Sequence, residues 1–318
     1  MNRKEFIAAA SLLSLAPSVP FASGGKKDIP ALKLIDTHQH LYDTDRFHDN
    51  WGLIPVDGDF GMRQYQEIAR AVNIEKAVYI EVAVPPARKY DEAMYAVELC
   101  EDDSNPTVAA VISYDIYSDD FVSYMSRFKK YPCIKGIRAG FRSEQDLSDE
   151  KIIRHARALG EMGMSLDFSI SPRWLGAMAR FVQNCPETLF LVNHCANVDP
   201  KAFMARKKTP GRPDHNPQQW LTDMKRLAAQ ENVACKISGV VTRSSGYLLN
   251  ADNLGPAIRH CLEIFGPDRA MFASDWPWCL RGMDVKGWVN ILKETVAKQP
   301  REDQEKLFYK NAIQFYRL

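Results

Sequence analysis

Eight short β-rich runs alternate with longer helical patterns along this chain, and that alternation constrains the fold more than any other feature. The strand-like runs fall at 32–38, 76–82, 107–114, 133–139, 165–170, 188–194, 233–240 and 270–275. Apolar residues at helical spacing fill 61–73, 88–102, 118–129, 149–162, 172–184, 217–230, 253–264 and 283–298, and a last helix follows over 301–316. Ile152, His155, Ala156 and Leu159 show the period. Strands alternating with helices of this length read as βαβ units around a parallel sheet. Such strands are buried on both faces, so they appear as near-continuous apolar runs. Eight units in one chain predict an α/β fold of the (β/α)8 TIM-barrel type. A doubly wound open sheet is the alternative, but it rarely needs eight strands, and no G-x-G-x-x-G follows the first run.

The length of 318 residues accommodates one such barrel, which takes about 250 residues. A core of that size needs no staples. The formal net charge is +1, so no broad basic field exists to hold nucleic acid or an anionic membrane. The expected partner is a small-molecule substrate, and the pattern carries no statement of oligomeric state.

The first residues stand apart. "MNRKEFIAAASLLSLAPSVPFASGG" begins with Arg3 and Lys4, continues through a small apolar stretch and ends in small residues. That layout predicts a signal peptide over 1–24, a single barrel domain over 25–318 and a periplasmic or secreted location. The apolar run is interrupted by Pro17 and Pro20 and is short of the roughly 20 residues of a membrane span. Cleavage would remove Arg3, Lys4 and Glu5 and leave the mature chain formally neutral. Both Sec and twin-arginine export fit the segment. Seven cysteines are scattered without a CxxC pair, which excludes zinc-finger chemistry and is read as mostly free, buried thiols.

The C-terminal ends of barrel strands carry the active site in this architecture. The polar residues that fall there are His38 and His40, Glu81, Arg138, His194, Lys236 and Asp275, followed by Trp276. Alternation of side chains puts His38 and His40 on one face, with Asp36 expected below them on the same face. Three strand-end histidines with a closing Asp point to one shared centre. Neutral imidazoles and a carboxylate suit one divalent metal, zinc first. Such an ion polarises a carbonyl and acidifies bound water, with Asp275 as general base. The same imidazoles can instead polarise the carbonyl directly, without metal. Arg138 and Lys236 are read as substrate contacts or as structural ion pairs with Glu81 or Asp36. Glu81 is read as ion-pair partner, substrate contact or further ligand. Trp276 is read as an apolar wall or as packing. The loops 41–60 and 197–216 are long, and the second is basic, either a solvated surface or a lid over an anionic substrate.

The stretches "IDTHQHLYD", "KGIRAGF", "FLVNHCANVDP", "NVACKISGVVT" and "GPDRAMFASDWPWC" run in order from residue 33 to about 280, and together they resemble the amidohydrolase superfamily. The resemblance is to its amidohydrolase-2 branch of lactonases, which includes L-fuconolactonase, L-rhamnonolactonase and 2-pyrone-4,6-dicarboxylate lactonase. It implies a distorted (β/α)8 barrel that hydrolyses an ester or lactone. In that reading His38, His40 and His194 surround the reacting carbonyl, Asp275 activates water, and Arg138 contacts substrate. Many members of the wider superfamily bridge two metals with a carboxylated Lys. Lys135 faces opposite to Arg138 on its strand, which argues against a two-metal centre here. Branch members with and without metal exist, so a single ion and a metal-free route both stay open. A metal-dependent decarboxylase of an aromatic or muconate-type acid is the alternative function, since it shares the histidines and the Asp.

Overall fold

A computed structural model describes residues 32–47, 58–204, 211–244 and 248–318. The expected signal segment, the middle of the first long loop and part of the second lie outside the described residues.

Eight strands form one parallel sheet in strict sequence order. They are β1 (Leu34–Gln39), β2 (Ile74–Ile80), β3 (Thr107–Ile112), β4 (Ile134–Ala139), β5 (Ser165–Phe168), β6 (Leu189–Val192), β7 (Val233–Ile237) and β8 (Ala270–Phe272). Each expected run overlaps one strand, with β1 running one residue past its run and β2 starting two residues before its own. The runs at 188–194 and 233–240 overshoot, because their last residues leave the sheet to build the site. The connecting helices are α1 (Met62–Val72), α2 (Lys89–Glu101), α3 (Phe121–Ser126), α4 (Glu150–Glu161), α5 (Leu175–Gln183), α6 (Pro217–Ala228), α7 (Ala251–Phe265) and α8 (Val285–Val296). The last helix is interrupted, with Arg301–Glu305 and Asn311–Tyr316 flanking a π-helical turn at Lys306–Lys310.

Local chemistry starts these helices where they start. The Asp149 carboxylate accepts the N–H groups of Lys151 and Ile152 at the head of α4, and Asp284 accepts that of Gly287 in α8. Asn216 caps α6, with Pro217 in the first turn where a missing N–H costs nothing. At the other end of α1, Asn73 turns left-handed (φ 66°) and feeds directly into β2.

Two apolar layers result. Ile35, Val78, Ile80, Ala109, Val111, Leu191, Ala234 and Met271 fill the barrel interior, with Ala312 and Tyr316 of the last helix packed against them. A larger cluster lies between the sheet and the helices. The barrel closes between β8 and β1 by a seam rather than a regular ladder. Thr37 Oγ donates to the Phe272 carbonyl at 2.7 Å, the Asp275 N–H to the His38 carbonyl at 3.0 Å, and the His40 N–H to the Trp276 carbonyl at 2.8 Å. This seam runs straight into the residues expected to react.

Candidate active site

The β1–β2 register shifts between Asp36 and Gln39: Asp36 sits opposite Ala77, yet Gln39 sits opposite Tyr79. The extra residue is a bulge, and it breaks the alternation of β1. His38 and His40 still converge, with their Nε2 atoms 3.1 Å apart. Asp36 does not lie below them, which corrects the sequence expectation. Its carboxylate turns to the Tyr65 hydroxyl of α1 at 2.7 Å and to the N–H and hydroxyl of Ser274. Asp36 therefore fastens the seam instead of facing the site.

The His40 Nδ1 lies 3.0 Å from the carbonyls of both Ile80 and Glu81. Carbonyls only accept, so Nδ1 carries the proton and Nε2 of the neutral ring offers a lone pair. His194 follows β6 in a tight turn. Four consecutive residues, His194, Cys195, Ala196 and Asn197, have φ between 48° and 57°. A left-handed run of non-glycine residues costs about 1–2 kcal/mol each, and such strain gathers at functional sites. The Asn197 amide helps hold the turn by donating to the Ser169 hydroxyl and the Ile170 carbonyl. The His194 Nδ1 pairs with the Ser238 hydroxyl at 2.9 Å. Gly239 beside it admits the ring: a Cβ there would lie 2.4 Å from the His194 Cβ.

Asp275 also adopts a left-handed backbone (φ 60°) and closes the constellation. One carboxylate oxygen stands 3.8 Å from the His38 Nε2 and 3.7 Å from the His40 Nε2, and the other stands 3.7 Å from the His194 Nδ1. These separations exceed hydrogen-bond length. Burial drives the three imidazoles well below their ordinary pKa; the charge of Lys236 adds to this at His38 and that of Arg138 at His40 and His194. The rings are therefore neutral. Burial pushes the Asp275 carboxyl well above its ordinary value, against the opposing pull of Arg138. The centre thus holds three neutral imidazoles around one carboxyl group whose affinity for a proton burial raises.

The donor set fits a divalent ion. Ligand atoms of His38, His194 and Asp275 all lie within 4.8 Å of one another. Two ligands each about 2.1 Å from one tetrahedral ion stand about 3.4 Å apart, close to the spacings here. Lys135 has no part in it, since its Nζ lies 3.4 Å from the Arg317 carbonyl.

The other expected residues separate. Arg138 forms an ion pair with Glu81, its Nε donating to Oε1 at 2.5 Å, and its side chain is 22% exposed. Lys236, expected as a substrate contact, is fully buried with its Nζ 2.6 Å from Asp167 of β5. Its ammonium is engaged by that carboxylate and has no exposed surface. Trp276, expected as a wall of the site, is 1% exposed and packs edge-on to Phe60 and tilted to Tyr65. Trp276 takes the packing role that the sequence also allowed, whereas Lys236 forms a structural ion pair with Asp167 and not with the expected Glu81 or Asp36.

Several participants had no strong sequence signal. Tyr42, whose ring centre is 6.5 Å from that of His40, accepts a hydrogen bond from Trp278 Nε1, and burial pushes its hydroxyl up to about 12. Glu92 of α2 accepts the Val82 N–H at 2.6 Å and so holds the segment after Glu81. Ser238 and Gly239 lie just past the end of β7, inside the "CKISG" stretch that carried part of the resemblance but assigned neither residue a role.

A parallel barrel whose C-terminal strand ends gather imidazoles and a carboxylate around one point is the framework of a hydrolase. The chain belongs to the amidohydrolase family, whose model matches residues 35–318. Among similar proteins is an L-fucono-1,5-lactonase of Burkholderia ambifaria, 25% identical over 297 residues that cover 89% of this chain and 95% of the relative. An amidohydrolase from Burkholderia multivorans, solved with bound zinc, superposes with a TM-score of 0.76 at 19% identity, covering 90% of this chain and 99% of that one. A 5-carboxyvanillate decarboxylase from Novosphingobium aromaticivorans, complexed with manganese, shares the fold at a TM-score of 0.60 and 14% identity, over 91% and 98% of the two chains.

Proposed function

We propose that this protein opens a sugar aldonolactone by hydrolysis. The observation that carries the reading is the Asp275 carboxylate, 3.7–3.8 Å from three neutral imidazoles at the strand ends. Asp275 accepts a proton from water as the water oxygen attacks the lactone carbonyl. Charge then develops on the carbonyl oxygen, where ring N–H groups of neutral His38 and His194 stabilise it, while His40 holds the His38 ring through its Nε2 lone pair. As the ring C–O bond breaks, the Asp275 carboxylic acid returns its proton to the departing oxygen, and a hydroxy acid results. A divalent ion held by His38, His40, His194 and Asp275, with zinc preferred by these donors, would add Lewis-acid polarisation and a more acidic water.

The substrate class follows from the charge at the mouth and from the lactonase relative. Arg138 is already neutralised by Glu81, so the pair offers polar contacts to hydroxyl groups more readily than a bare cation to a second carboxylate. The test screens purified protein against aldonolactones with a pH indicator, and against aromatic acids for CO2 release. Acid release that disappears in Asp275→Asn is expected. Release unchanged in that variant refutes the mechanism, and CO2 release in place of acid refutes the reaction. We also propose export through the 1–24 segment, for which blotting of fractionated cells should find a shortened form outside the cytoplasm.

A further inference from the structure

Cys195, Cys235 and Cys261 are far apart in sequence, yet their sulfurs lie within 4.8 Å of one another. Cys195 comes from the left-handed turn after β6, Cys235 from β7 and Cys261 from α7. None of the three has exposed surface. Cys235 neighbours Lys236, and strand alternation sends the lysine into the barrel and the cysteine toward the helices. The three sulfurs therefore sit in the outer core, behind the wall that carries the histidine centre.

Packing alone explains one buried cysteine as a small hydrophobe. Here three sulfurs from three separate elements converge on one point, and the Cys195 and Cys235 thiols share a single distant acceptor, the Lys236 carbonyl at 3.9 and 3.8 Å. So long and shared a contact leaves the sulfur lone pairs facing one another, an arrangement with value for a soft metal ion and none for packing alone.

We infer that Cys195, Cys235 and Cys261 form a binding site for one soft, thiophilic metal ion of the cuprous type, separate from the histidine centre. The ligand type selects the ion. Thiolates favour Cu(I), zinc and iron–sulfur clusters. Structural zinc takes four protein ligands and iron–sulfur clusters take four cysteines, whereas among the described residues no fourth His, Cys, Asp or Glu joins this group. Cuprous ion is satisfied by two or three sulfurs. Two thiols lose their protons to solvent, the third coordinates as a neutral thiol, and the complex carries one negative charge. Bound there, the ion ties the strained His194 turn to β7 and α7.

The experiment titrates fully reduced protein with cuprous ion against a coloured cuprous chelator and reads retained copper by native mass spectrometry. Wild type and Cys100→Ser should each retain one equivalent with an ultraviolet thiolate-to-copper band, as should His38→Ala. Cys235→Ala and Cys261→Ala should lose both. No retained copper in wild type, or equal retention in the two alanine variants, overturns the proposal. Misfolding of those variants is bypassed by wild type alone: a denaturant pulse with an alkylating reagent, mapped by peptide mass. Cuprous ion should protect Cys195, Cys235 and Cys261 together, and full alkylation of all three in its presence also overturns the proposal.

Discussion

Replacing Gly239 by alanine tests whether the seat of His194 is built by backbone space. Gly239 has φ +71°, and an added Cβ would lie 2.4 Å from the His194 Cβ, 2.8 Å from its Cγ and 3.0 Å from Nδ1. Ordinary carbon contacts are about 3.5–4.0 Å, so the ring must retreat by roughly 1 Å. Left-handed backbone costs alanine about 1–2 kcal/mol, and overpacking adds about 1–3 kcal/mol. The expected stability loss of about 2–5 kcal/mol lowers Tm by roughly 5–10 °C in a domain of this size. A displacement of about 1 Å costs on the order of 10²-fold in rate, and the His194–Ser238 hydrogen bond should be lost with it. Gly239→Asn separates the two effects. Asparagine tolerates left-handed backbone but still carries a Cβ, so it should recover about 1 kcal/mol of stability relative to alanine and no activity. The assay is acid release from the best aldonolactone, alongside thermal melts of all three proteins. A folded Gly239→Ala protein within about threefold of wild-type kcat/KM would falsify the seat argument. Recovery of rate by asparagine would show instead that backbone strain, not contact with the ring, controls the site.

Three further outcomes are expected. Glu92 is pushed up to about 8, first by burial and then by the neighbouring Glu81 charge. The folded protein therefore holds a proton between about pH 4.5 and 8 that the unfolded chain has released, so stability should fall by up to a few kcal/mol as pH rises through that window. Glu92→Gln should flatten the slope in urea titrations, and an unchanged slope assigns it to other groups. Lys236→Met leaves Asp167 buried without its partner and should cost about 3–5 kcal/mol, whereas Lys236→Met with Asp167→Leu should recover most of it; equal midpoints for single and double variants contradict the pairing. Dialysis against zinc should load one equivalent that is lost in His38→Ala and in Asp275→Ala. Retention in both places the ion away from the histidine centre.

The amino-acid pattern alone determined the barrel and the end at which its histidines and Asp275 gather. Period and burial are local properties, so the eight strands and their helices can be read residue by residue, and the polar residues that end apolar runs stand out against them. His38, His40, His194 and Asp275 were legible for that reason. The pairings were not, because a charge at a strand end can meet several partners and register selects among them. Only the tertiary structure joined Arg138 to Glu81 and Lys236 to Asp167, which buried the lysine against β5. It also inserted the bulge in β1 that turned Asp36 from the site to the seam, a one-residue shift that leaves no mark on composition. The strained turn after β6 and the glycine that admits it arise from the same cause: their cost is local, but the contacts that sustain them come from other strands. The three cysteines show the division most plainly, since nothing in their spacing links them and the winding of β6, β7 and α7 around one core brings their sulfurs together.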